Sequence, residues 1–202
     1  MDKNVVIKTD RLLLRIWNME DIDDIVEGLN NINVSKWLAG APYPYTKKDA
    51  KDFVKKTIDN DLYNFAIVLK SENKAIGGTQ LTDISLANGI AGGGIWINEK
   101  YQEKGYGTEA WGARIKYAFE VLGLRRLENG YFKDNISSWK MQEKFGYKNE
   151  GISRQMLYGV IIRLKEMGIE NAYINSYDWR RKVYNSAGFE TEDSIGFWHK
   201  KI

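Results

Sequence analysis

The chain has 202 residues, 43% hydrophobic and 28% charged with only two prolines, which describes a globular protein long enough to bury a core. It contains no cysteine and one histidine, His199, which excludes disulfides, thiolate nucleophiles and Cys-ligated zinc and leaves a Ser-His-Asp triad or His-rich metal site only that residue to build on. Its 30 basic and 27 acidic residues are well mixed, giving a net charge of +3 that makes no case for nucleic acid, and neither a signal peptide nor a bilayer-spanning run is visible, so a cytoplasmic protein is expected.

Leu12, Leu14 and Ile16 alternate within Arg11–Ile16 and predict a strand. Asn18 is placed to cap a helix whose Ile22, Ile25, Val26 and Leu29 form one apolar stripe. Thr46, with Asp49 three residues on, predicts a second helix start, followed by Phe53, Val54 and Ile58 on one face. The connector between them, Trp37–Tyr45, holds both prolines and several aromatics, suited either to covering a core or to rimming a substrate site.

Phe65–Leu69 and Ala75–Thr79 read as strands joined by the turn Ser71–Lys74. Ile90–Ile97 is a further strand carrying Gly92, Gly93 and Gly94 in succession, a sign of a bulge or of close approach by a backbone or ligand. Trp111, Ile115, Ala118 and Leu122 then predict a helix that Gly123 closes. Arg126–Phe132 is expected as a strand and Ser138–Phe145 as a helix ended by Gly146. The order helix, Gly123, strand, helix, Phe145-Gly146-Tyr147 is echoed by helix, Gly168, strand, helix, Ala187-Gly188-Phe189. Residues 159–202 therefore look like a partial second copy of the C-terminal half of residues 1–158.

The stretch richest in chemistry is Ile95-Trp96-Ile97 followed by Gln102-Glu103-Lys104-Gly105-Tyr106-Gly107-Thr108 and the helix of Trp111. A strand entering a glycine-containing turn and then a helix offers unpaired N–H groups and a dipole's positive end to an anion. Gly105 and Gly107 let the backbone approach a pyrophosphate, and Thr108 can cap the helix or donate its hydroxyl to a phosphate. An isolated Gly-x-Gly is only a turn. Gly105-Tyr106-Gly107-Thr108-Glu109-Ala110, with Glu128 further on, also satisfies a dinucleotide-binding fingerprint, but it sits at mid-chain after antiparallel-looking strands and too little chain follows for a doubly wound sheet.

Gln102-x-x-Gly105-x-Gly107 after Gly94-Ile95-Trp96-Ile97, then Asn135-x-x-Ser138 ahead of Glu143-Lys144-Phe145-Gly146-Tyr147, together resemble the GNAT superfamily of N-acetyltransferases. Thr9-Asp10-Arg11-Leu12-Leu13-Leu14-Arg15 and Pro44-Tyr45-Thr46 resemble its ribosomal-protein N-terminal acetyltransferase (Rim-type) branch. The resemblance runs in order from about Thr9 to Tyr158. It implies an α/β (α+β) acyl-CoA N-acyltransferase fold, a mixed central sheet splayed at the cofactor cleft, with acetyl-CoA as co-substrate. It also implies that backbone groups around Trp96 and Ile97 pair with the pantetheine arm. The amides of Gln102, Gly105, Tyr106, Gly107 and Thr108 would hold the pyrophosphate, Asn135 would contact the cofactor, and Ser138 would lie near the sulfur.

Direct attack by a bound amine needs a proton acceptor, an oxyanion stabiliser and a donor for the leaving thiolate. An α-amine of pKa about 8 costs about 1.4 kcal/mol to deprotonate at pH 7, whereas a lysine amine near about 10.4 costs roughly 4.6 kcal/mol. The sequence looks poor in bases: where many relatives carry a carboxylate this chain has Gly92, Gly93 and Gly94, which leaves Asp83, Glu99 and Glu150 or a water chain. The tyrosine that family members often use as general acid is replaced by Gln142, so Ser138 is assigned as the thiolate-side donor, against a plain helix-capping role. In the second copy Tyr184 stands at that place, but Gly159 and Val160 stand where a glycine-rich turn would be needed. Rim-type chains usually finish with a β-hairpin after the residue matching Tyr158; residues 159–202 replace it, extend the sheet or mediate a homodimer. The expected function is acetyl transfer to a primary amine, a protein N-terminal α-amine being favoured over a small-molecule amine. The alternatives are a catalytically inactive CoA-binding protein and a dinucleotide-binding domain. No metal, nucleic acid or membrane partner is expected.

Overall fold

The computed structural model describes residues 5–38, 40–60, 63–132 and 134–147, and beyond them three strands, β7 (Asn171–Asn175), β8 (Glu190–Thr191) and β9 (Phe197–Lys201). The chain divides into two compact units, Met1–Phe145 and Gly146–Ile202.

The first unit is a six-stranded sheet in the order β1 (Val6–Lys8), β2 (Leu12–Ile16), β3 (Asn64–Leu69), β4 (Lys74–Ser85), β5 (Ile90–Ile97), β6 (Arg126–Leu127). The first five strands pair antiparallel and only β5 and β6 run parallel. This excludes the dinucleotide-binding alternative, because a doubly wound sheet needs consecutive parallel strands.

Strand β3 reads Asn-Phe-Ala-Ile-Val-Leu and is buried throughout, as a strand covered on both faces must be. Its Ala66 and Val68 meet Ile25 and Leu29 of α1 (Ile22–Leu29) and Val54 of α3 (Lys47–Asn60). Its Phe65, Ile67 and Leu69 turn the other way, with Leu12 and Leu14 of β2, onto Ala110 of α4 (Tyr106–Glu120). Full burial of each Leu, Ile or Phe stabilises the fold by about 1.5–3 kcal/mol.

Caps set the helix starts. Asn18 accepts from the Glu20 amide at 2.9 Å while its own N–H donates to Asp21 at 2.9 Å, a reciprocal box that opens a 3₁₀ turn, Met19–Asp21, ahead of α1. The Thr46 N–H donates to the Asp49 carboxylate at 2.8 Å at the head of α3. Between α1 and α3 lies a four-residue helix, α2 (Ile32–Ser35), which the sequence did not announce. Its N-cap is Asn31, whose side chain accepts from the Asn33 amide at 2.9 Å.

Two expectations need correction. The strand expected over Arg126–Phe132 stops at Leu127, because the ladder with β5 ends once Ala91 has accepted from the Glu128 amide. Leu122, expected on the helix of Trp111, falls beyond its end at Glu120; Gly123, at φ +66°, turns the chain so that the Leu124 amide returns to the Ala118 carbonyl.

In the second unit, β9 is the middle strand of an antiparallel sheet, with Tyr173 opposite His199 and Thr191 opposite Trp198. The helices expected in the partial repeat, together with Gly159, Val160 and Tyr184, lie outside the described residues.

Candidate active site

The sheet opens between β5 and β6. β6 accompanies β5 at Ile90 and Ala91, so among the described residues the edge of β5 beyond Gly92 has no strand partner on that side. The glycines there have separate reasons. A Cβ on Gly93 would lie 2.2 Å from both the Gln80 carbonyl oxygen and Arg114 Nη1, so no side chain fits; Gly94 borders open space. The Trp96 ring points away from the α4 face and stacks on Trp17, with centroids 6.2 Å apart and planes 4° apart. Gly28 and Gly78 make room for that stack, since a Cβ on either would come within 2.5 and 2.8 Å of Trp96. The Trp96 carbonyl faces β4, 2.3 Å from where a Cβ on Gly77 would stand. The Ile97 side chain packs on the α4 face and its carbonyl accepts from Gln102 Nε2 at 2.8 Å.

The turn after β5 ends at the N-terminus of α4. Glu103 (φ +61°) and Gly105 (φ +81°) are both left-handed, which folds the backbone into a concave nest. Gly105 is the N-cap; Thr108, expected as either cap or phosphate donor, sits inside the first turn. The first intrahelical bond runs from the Glu109 amide to the Gly105 carbonyl at 3.0 Å. The amides of Tyr106, Gly107 and Thr108 therefore have no acceptor within the helix and lie at its positive end. This nest fits an anionic diphosphate. A Cβ on Gly107 would meet the Ile97 side chain at 3.5 Å, an ordinary contact, so packing on β5 does not require the glycine.

Asn135 caps α5 (Ile136–Lys144), its side-chain oxygen accepting from the Ser138 amide at 3.1 Å. Ser138 is half-buried, and its hydroxyl oxygen accepts from Gln142 Nε2 at 3.2 Å. Gln142 is only 4% exposed, so one turn of helix holds the serine with one acceptor position filled.

Three further groups were not assigned a role from sequence. Arg11 and Thr9 both grip Glu109: Arg11 Nε donates to it at 2.7 Å, the Arg11 amide at 2.9 Å and the Thr9 hydroxyl at 2.6 Å. Burial works against the Glu109 charge, but these donors hold its carboxyl below the usual range. The third is Arg114 on α4, fully buried, with Nη1 donating to the Gln80 carbonyl at 2.7 Å and its guanidinium 3.8 Å from the Trp111 ring centre. Of the carboxylates considered as base, Glu99 receives Asn31 Nδ2 at 2.5 Å and Asn33 Nδ2 at 3.0 Å, one on each oxygen. Asp83 is exposed on an irregularity of β4 with φ +51°, and Glu150 lies outside the described residues.

Residues 11–148 match the acetyltransferase (GNAT) domain model. Among curated proteins, the uncharacterized N-acetyltransferase YnaD of Bacillus subtilis (strain 168) is 29% identical over 151 residues, covering 75% of this chain and 87% of that protein. A GNAT-family acetyltransferase from Bacillus anthracis superposes with a TM-score of 0.66 at 29% identity, covering 72% of this chain and 85% of that one. The ribosomal L7/L12 α-N-protein acetyltransferase RimL shares the fold at 18% identity, with a TM-score of 0.58 over 70% of this chain and 79% of its own. The open edge of β5 and the nest before α4 thus stand in a sheet of known lineage: the chain belongs to the GNAT family of N-acetyltransferases, whose co-substrate is acetyl-CoA.

Proposed function

We propose that the chain acetylates the α-amine of a peptide or protein N-terminus. The neutral amine attacks the thioester carbonyl, the N–C bond forms as the C–S bond breaks, and the departing thiolate takes a proton. In this reading the amides of Gly105, Tyr106, Gly107 and Thr108 receive the pyrophosphate, while Gln102, expected to join them, shapes the turn instead, its amide donating to the Glu99 carbonyl at 3.1 Å. The backbone of Trp96 and Ile97 lies along the pantetheine arm. Asn135 contacts the cofactor through the side-chain nitrogen its capping bond does not use, and Ser138 donates the proton to sulfur. Acetyl-CoA supplies an activated acyl carbon, and the chain's part is to place it.

The observation that carries the choice of acceptor is the state of Glu99. Both of its oxygens are occupied in fastening α2 beside the end of β5, so it is ill placed to take a proton. A site whose described residues supply no strong base is best matched to an amine that is already about a tenth neutral at pH 7.

The test is release of free CoA from acetyl-CoA with peptides, lysine side-chain models, polyamines and amino-sugars as acceptors. Peptide α-amines should give the highest kcat/KM, rising with unit slope up to about pH 8, the acceptor's own pKa. A rise continuing toward the lysine range, or turnover confined to polyamines, would replace this acceptor with another. Acetyl-CoA binding without turnover would identify a CoA-binding protein that does not catalyse.

A further inference from the structure

The two margins of the opened sheet touch through one pair of aromatic rings. Trp37, just past α2, lies 6.1 Å from Phe132, centroid to centroid, at 50° between planes. Each is tied to the site by its own chain of bonds. On the β5 side, the α2 start is fastened by Asn31 and Asn33 to Glu99, two residues beyond Ile97, and the Trp37 amide donates to the Val34 carbonyl at 3.2 Å. On the β6 side, the Phe132 carbonyl accepts from the Asn135 amide at 2.8 Å, and Asn135 in turn holds the Ser138 amide. The rings therefore bridge the strand edge on one side and the helix carrying Ser138 on the other.

The pair is apolar and open to solvent: Phe132 is 49% exposed, with Tyr131 beside it at 37%. A cation, Lys36, holds its Nζ 5.0 Å from the Trp37 indole centre. The only acid among the described residues close in sequence to the pair is Asp134, exposed in the turn before α5. With Lys36 already over the indole face, a second cation meets repulsion there, whereas an apolar side chain gains contact with the rings.

Resting on the α-amine reading above, we infer that Trp37 and Phe132 form the acceptor clasp and select N-termini whose first side chain is apolar. The ring pair would close on that side chain while the α-amine reaches the gap beside β5, which makes these residues specificity-determining without a part in the bond changes.

The experiment compares kcat/KM for short peptides differing only at the first residue (Met, Leu and Phe against Ser, Asp and Lys), with spermidine as polycation, for the wild type, Trp37→Ala, Phe132→Ala and Trp37→Phe. Acetyl-CoA affinity and thermal melting are measured on each protein. The expected result is a preference for apolar first residues, reduced on the order of tenfold by either alanine variant through acceptor KM. Acetyl-CoA affinity should be unchanged, and Trp37→Phe should retain most of the preference. Equal use of all first residues, preference for spermidine, or alanine variants that lower every acceptor alike would overturn the clasp while leaving acetyl transfer to amines intact. Failure of the wild type to bind acetyl-CoA would bring down the underlying reading and the clasp with it.

Discussion

Arg11 Nε lies 2.7 Å from Glu109 Oε2, a bond between residues 98 positions apart that ties the strand start to the first turn of the helix that follows the Glu103–Gly105 turn. Arg11 also donates through Nη1 to the Lys104 carbonyl at 3.0 Å and covers the Tyr106 ring at 4.5 Å. One guanidinium thus fixes the turn, the helix and the ring between them. It also neutralises the carboxylate in the first turn of that helix. Arg11 is 47% exposed, so Arg11→Met should cost little stability, about 0.2–1 kcal/mol. The larger effect is expected on positioning: KM for acetyl-CoA should rise roughly tenfold with kcat nearly unchanged. Kinetics with Glu109→Gln, alone and combined with Arg11→Met, check this, since the double variant should be little worse than either single one.

That contact marks where sequence reading stops. The alternation of Leu12 and Leu14, the stripe of Ile25 and Leu29 and the Thr46–Asp49 start were legible because each is local, and a period of two or of three to four survives in the linear chain. The Gly105–Gly107 nest was legible for the same reason. The Arg11–Glu109 pair was not, because nothing local to Thr9-Asp10-Arg11 names a partner in the fourth helix. Arg114 was missed because an arginine on a charged helix reads as solvated, while here it fills space left by a glycine on another element. β6 was read too long because the sequence around Arg126–Phe132 does not say how far its partner strand follows, and the ladder with β5 ends at Leu127.

Gly93→Ala follows from that packing. The added methyl would sit 2.2 Å from a backbone carbonyl and from a guanidinium already bonded to that carbonyl, and neither is a loose side-chain end. Destabilisation of about 1–3 kcal/mol is expected, as for an overpacked core. Gly94→Ala, where a Cβ meets nothing within 4 Å, should change the melting temperature far less. Thermal melts of the two neighbouring variants make the comparison, and equal losses would contradict it.

A third prediction concerns acid. Glu27 on α1 receives Lys100 at 2.6 Å and Lys74 at 2.6 Å, and these bonds hold its carboxyl at about 2, against the opposing effect of burial. A folded-state pKa below the unfolded value stabilises the fold above the unfolded pKa, about 4.3, and that contribution is lost as pH falls through the folded value. The window is therefore roughly pH 4.5 down to 2. Lys100 is 72% exposed and water screens its bond, so the contribution at pH 7 is about 1 kcal/mol, less than the pKa alone suggests. Glu27→Gln should melt lower at pH 7, and its deficit should shrink as the pH approaches 2. A deficit that stays constant across that range would show packing, not charge, at the site.

The last prediction separates a proton donor from a cap. The Asn135 side chain supplies the cap by accepting from the Ser138 amide, so the serine hydroxyl is not needed to start α5. Ser138→Ala should therefore leave the melting temperature within about 0.5 kcal/mol of wild type, in the range of substitutions away from packing and caps. If the hydroxyl protonates the departing thiolate, kcat should fall by about 10²-fold while acetyl-CoA affinity stays the same. Gln142→Leu removes the bond to Ser138 Oγ without removing the donor, so its kcat should fall less, and its pH profile should keep the wild-type shape. The discriminating measurement uses two thioesters. An acyl donor whose thiol has a lower pKa needs less help in leaving, so the Ser138→Ala defect should narrow with it. A defect of the same size with both donors would assign the serine to substrate placement, and the thiolate would then take its proton from water.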